Sequence, residues 1–90
     1  MNERKAYVIF LTDDAMKELG APFNAFIKSK NETCYIYAKS IDPEGNYFHM
    51  LVDQEVVGGN KIELELQLHH DFIKGAFCGE ETAINELGFS

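Results

Sequence analysis

Cysteine is scarce in this chain, and so are basic residues. Only Cys34 and Cys78 occur among 90 residues, whereas a domain this small that relied on disulfides would usually carry several bridges. A reducing, cytoplasmic setting is the expectation. Eight lysine and arginine residues stand against 15 aspartates and glutamates, for a formal charge of -7. That balance opposes binding to a phosphate backbone unless the few lysines cluster, so nucleic acid is a poor expectation as a partner. Long apolar runs are missing too. Tyr7 to Leu11 is followed at once by Thr12-Asp13-Asp14, which is too short to span a bilayer, and no small-residue cleavage site follows as a signal peptide requires. No membrane association is expected. There is no internal repeat, no low-complexity segment and no motif that names a reaction: no P-loop, dinucleotide fingerprint, HExxH or nucleophile elbow. No cofactor is implied, and catalysis is not the expectation.

What remains is ample for folding. A hydrophobic content of 46% with 12% aromatics excludes disorder and fits one small globular domain over residues 1–90. The strictest pattern is Lys61-Ile62-Glu63-Leu64-Glu65-Leu66-Gln67-Leu68-His69-His70-Asp71, apolar at every second position, which is the period of a half-buried strand. Tyr7 to Leu11 is apolar throughout and predicts a strand covered on both faces. Thr12 reads as an N-cap, Asp13 and Asp14 as first-turn acids facing the positive helix end, and Gly20 with Pro22 as the stop of a short helix. Phe23 to Lys30 fits either period, its length favours a strand, and a two-residue turn at Asn31-Glu32 would set Ile27 opposite Ile36. Thr33 to Lys39 follows as a strand, Asp42-Pro43-Glu44-Gly45 has the residues of a turn, and Asn46 to Val57 pairs with the Lys61 strand across Gly58-Gly59-Asn60.

Beyond Asp71, Phe72, Ile73, Ala76 and Phe77 are spaced as on a helix. Ala83, Ile84 and Leu87 make a second apolar stripe that ends at Gly88-Phe89. The fold class expected is therefore α+β, with an order β-α-β-β-β-β-α. It has a mainly antiparallel, four- to five-stranded sheet with helices packed on one face and room for the first two strands to run parallel.

Function would then lie on the other face. Three-residue loops closing Asp42 on Asn46 and Val57 on Lys61 put Ile36, Ala38, Phe48, Met50, Val52, Leu64, Leu66 and Leu68 on one apolar side. Outward go Tyr35, Tyr37, Tyr47 and Leu51, a semi-apolar patch of the kind that marks a contact surface. Beside it go His49, Asp53, Glu55, Glu63, Glu65 and His69, with Asp71 at the end. In that register His49 faces His69, Asp53 faces Glu65 and Glu55 faces Glu63. Like charges directly opposed are unfavourable and call for an explanation, either plain solvation or a basic partner. The sequence thus points to a non-catalytic interaction module acting through its outer sheet face, with another protein or a second copy as partner. The alternative is a small-molecule or metal site near His49, His69 and Asp71, although the residue spacing matches no metal motif.

Overall fold

The computed structural model describes residues 4–90; the first three lie outside the described residues. The chain forms β1 (Lys5–Leu11), α1 (Asp13–Leu19), β2 (Ile27–Lys30), β3 (Thr33–Ala38), β4 (Ser40–Asp42), β5 (Tyr47–Glu55), β6 (Lys61–His69), β7 (Ile73–Glu80) and α2 (Glu81–Glu86). The strands make two sheets, ordered β2-β3-β1-β7 and β4-β5-β6, and every pairing among the described residues is antiparallel. The antiparallel α+β character expected from sequence holds. The strand count, the order and the single sheet do not.

Local chemistry placed the early elements correctly. The Thr12 hydroxyl accepts from the Ala15 amide at 3.1 Å, and Gly20 takes a φ of 68° that ends α1. Asn31 and Glu32 both adopt positive φ, 53° and 67°, the turn that matches the twist of a two-residue hairpin. Ile27 consequently pairs with Ile36. The strand expected from Phe23 begins only at Ile27, after a 3-10 turn at Ala21–Phe23, and does not lie beside β1. β3 is inserted between the two, so both contacts are antiparallel.

The division into two sheets happens at Lys39. β3 belongs to the first sheet and β4 to the second, and the one residue between them is a corner at which the run changes sheets. Ile41 therefore pairs with Met50 and Asp42 with His49, three residues off the register expected from a tight Asp42–Asn46 hairpin. The turn residues act locally instead: Asp42 Oδ1 accepts from the Glu44 amide at 3.1 Å.

The second correction concerns Phe72 to Phe77, expected to be helical. Ile73–Glu80 is a strand along the free edge of β1, with Lys5 opposite Glu80 and Leu11 opposite Ile73. β1 has polar main-chain groups on two edges, and β3 satisfies only one of them, so a partner there is worth more than an isolated helical turn. Gly75 and Gly79 weaken a helix at this place in any case.

β1 needs cover on both faces, because Val8 and Ile9 are fully buried on opposite sides of it. This is why the helices are not on one face. The space between the sheets holds Ile9, Ile36, Ala38, Phe48, Met50, Val52, Leu66 and Leu68, joined by Ala15 of α1. On the far side of the first sheet, Ile84 of α2 is packed with Ala6, Val8 and Tyr35, with Phe10, Phe77 and Phe89 around them. A Schellman ending fixes this cover: the Phe89 amide donates to Ile84 O at 3.3 Å and the Gly88 amide to Asn85 O at 3.0 Å. The Phe89 ring then meets Tyr35 edge-on at 5.0 Å between centroids and Phe77 at 5.5 Å.

Candidate binding face

The second sheet turns its odd-numbered residues outward on β5 and β6. Glu55 pairs with Lys61, Asp53 with Glu63, Leu51 with Glu65, His49 with Gln67 and Tyr47 with His69. The loop between these strands has the expected three residues, but it closes one position earlier on β5 and on β6. Val56 donates to Asn60 O at 2.8 Å, and Gly58 and Gly59 supply the positive φ values of 98° and 82° that the turn requires. Moving the whole ladder by two residues keeps each side chain on its expected face and changes every partner.

The change halves the number of opposed acidic pairs. Glu55 now faces a lysine, and only Asp53 and Glu63 remain opposed. Between them sits Lys39, whose ammonium is 3.1 Å from Asp53 Oδ1 and also bonds Glu63. The corner residue therefore neutralises the carboxylate pair that the sheet creates. The Lys39 pKa is raised above its ordinary 10.5, chiefly by the hydrogen bond to Glu63 and then by that to Asp53.

A raised pKa means stabilisation that is complete below the ordinary value and is lost as pH rises through the raised one. The melting-temperature gap between the wild type and Lys39→Ala is thus expected to be widest near neutrality and to narrow above pH 10.5. Thermal melts across an alkaline series of buffers check this, and a gap independent of pH would show that Lys39 does not hold the pair. Tyr37, raised above 10.0 by burial and then by Glu81, adds its own alkaline loss to both proteins and leaves the difference untouched.

The four residues expected to form one contact patch are divided between the sheets. Tyr35 is 4% exposed beneath α2 and Phe89. Tyr37, half-buried beside it, donates from its hydroxyl to Asn85 Oδ1 at 3.4 Å and carries the Lys28 ammonium over its ring at 5.7 Å. Tyr47 and Leu51 alone lie on the outer face of the second sheet. The reason is the corner at Lys39: outward residues of β3 and of β5 belong to different sheets, so they do not share a face.

The histidines are separated as well. His49 and His69 are not opposed; His49 Nδ1 lies 3.4 Å from Glu65 Oε1, while the His69 ring is 5.1 Å from Tyr47 and 5.7 Å from Phe72. Asp71 is exposed in the turn after β6. Among the described residues, no three of the His, Cys, Asp and Glu side chains are grouped to hold a metal ion. The hollow beside His49, lined by Asp42, Leu51 and Glu65 among others, has a volume of about 120 Å³, below the range of small-molecule sites. His70, which the sequence reading did not use, has a structural contact: its Nε2 lies 2.9 Å from Gly45 O and ties the β4–β5 loop to the turn after β6.

Neither cysteine forms a disulfide. Cys34 is half-buried at the start of β3, and Cys78 is exposed in β7 opposite Tyr7. Among the described residues, no helix is long and apolar enough to cross a membrane. Comparison with protein-family models, curated proteins and solved structures gives no match.

Proposed function

We propose that the protein is a non-catalytic binding module that engages another protein through the outer face of its second sheet. The observation that carries this is the composition of that face. Tyr47, 41% exposed, and half-buried Leu51 are its apolar residues, one on either side of His49 along β5. Around them Asp42, Asp53, Glu55, Glu63 and Glu65 stand against Lys39 and Lys61. Amphipathic centres with a charged surround fit contact surfaces, and the excess of carboxylates favours a partner with a basic surface. A second copy bound about a two-fold axis would set five carboxylates against the same five, so self-association is the weaker form of this reading. Two unpaired thiols fit a reducing compartment, and we place the protein in the cytoplasm on that ground.

The test is affinity capture with the immobilised wild type and with Tyr47→Glu plus Glu65→Lys as the control. A partner held at low salt, released at high salt and absent from the variant would support the reading. Capture that is indifferent to both salt and the variant would sink it. Light scattering over a range of concentrations decides the homodimer: mass that rises with concentration in the wild type, and not in the variant, would replace the heterologous partner with a second copy.

A further inference from the structure

We propose that the cleft opening where β3 parts from β5 is a binding site for a small phosphorylated organic anion, held between lysines of the two sheets. At the corner the Lys39 amide still donates to Leu51 O at 2.9 Å. Beyond it β3 turns into the first sheet, and Val52 to Glu55 run on without a ladder to it. The gap has a volume of about 820 Å³, within the range of roughly 300 to 1,000 Å³ typical of small-molecule sites.

Its charge is opposite to that of the chain. Five of the eight basic residues line it: Arg4, Lys5, Lys28, Lys39 and Lys61. Among the described residues, Asp53, Glu55 and Glu81 are the only aspartates and glutamates that do so, although acids outnumber bases 15 to 8 in the sequence. This is the clustering that an acidic protein needs before it can take an anion, and clefts concentrate such a field. Lys39 is held by Asp53 and Glu63, and Lys28 bonds the Ser90 carbonyl. Arg4, Lys5 and Lys61 have no ion-pair partner among the described residues. They come from both sides of the gap, the first two at the start of the β1 strand and the third at the start of β6.

Separated positive charges on two walls suit a ligand with more than one negative charge. Lysine binds phosphate oxygens as a point charge, and the arginine guanidinium can meet two of them at once. Phe26, Tyr37 and Val52 line the same space and provide a surface for a ring or hydrocarbon portion. This site shares Lys39, Asp53, Glu55 and Lys61 with the acidic face but does not depend on the protein contact proposed above.

Calorimetric titration of the full chain at low ionic strength, with inorganic pyrophosphate and with ADP as probes, tests the assignment. Saturable binding of both is expected, weakening as salt is raised. Lys5→Glu together with Lys61→Glu should weaken both by about tenfold or more, because each phosphate contact carries a charge-assisted bond. Lys17→Glu together with Lys74→Glu, outside the cleft, should leave both unchanged. Phe26→Ala should weaken ADP more than pyrophosphate. In the unmutated protein, pyrophosphate should shift the amide resonances of Arg4, Lys5, Lys39 and Lys61 first, a readout that requires no variant to fold. Failure of both probes to saturate, equal losses in the two lysine pairs, or shifts centred elsewhere would overturn the site. Pyrophosphate binding with no gain for ADP would overturn the organic part of the ligand.

Discussion

Removing residues 81–90 is expected to leave a chain that no longer melts cooperatively. Those residues form the only layer described over the outer face of the first sheet. Ile84 is 2% exposed against Ala6, Val8 and Tyr35, and Phe89 meets Phe10, Tyr35 and Phe77 edge-on. Burying one aliphatic or aromatic side chain of this size is worth about 1.5 to 3 kcal/mol. The truncation withdraws two of them and uncovers Val8 and Tyr35 as well, for a loss on the order of 5 kcal/mol or more. Net stabilities of small domains are about 0.05 to 0.15 kcal/mol per residue, so that loss is of the same order as what holds the chain folded. Circular dichroism should show residual strand signal without a sharp transition, and a hydrophobic dye should bind the uncovered face. The milder Ile84→Asp should show the same direction with a transition still present. A truncated protein that kept its transition and midpoint would mean that α2 decorates the sheet rather than completing it.

The same two-faced strand shows what a sequence can and cannot reveal here. Tyr7-Val8-Ile9-Phe10-Leu11 announces burial on both sides, because no position in it is polar. What it does not say is which elements provide the cover, since that depends on partners far along the chain. One turn was fully legible: Asn31-Glu32 fixes the β2–β3 register at Ile27 and Ile36 because both turn residues take left-handed conformations. Face parity on β5 and β6 was legible for the same reason, as alternation is written into the strand itself. The partner of each residue was not, because a ladder shifted by two residues buries the same side chains. His49, Asp53 and Glu55 therefore kept their outward places and exchanged partners. β7 escaped detection because its apolar residues happen to fall at helical spacing while the edge of β1, 62 to 75 residues earlier in the chain, decides its conformation. The cationic cleft is the extreme case. Arg4, Lys28, Lys39 and Lys61 lie far apart in sequence, and the ladders of both sheets together with the corner at Lys39 bring them to one opening.

Ile36→Ala should destabilise the protein more than any other single truncation in the space between the sheets. Ile36 is fully buried and central in a row across three strands, paired with Ile27 of β2 on one side and Ile9 of β1 on the other. From that row it belongs to the cluster that includes Phe48, Met50 and Leu68 of the second sheet. Trimming it therefore opens a gap between layers that the backbone cannot close, because β3 is held on both edges by its ladders. Deletions of this kind cost about 2 to 5 kcal/mol, the larger figures applying where the surroundings cannot collapse. In a domain of this size each kcal/mol moves the midpoint by roughly 4 to 8 °C, so a drop of about 10 °C or more is expected. Ile36→Val, which keeps the branched carbon, should cost about 0.5 to 1.5 kcal/mol. Ile62→Ala is the control, since Ile62 has the same side chain on the same face of its sheet but is 42% exposed near the hairpin end. Urea titrations with an unchanged slope would assign the differences to the native state. If Ile62→Ala cost as much as Ile36→Ala, the two sheets would not be held together by the row at Ile36, and the corner at Lys39 would have no packed core to turn around.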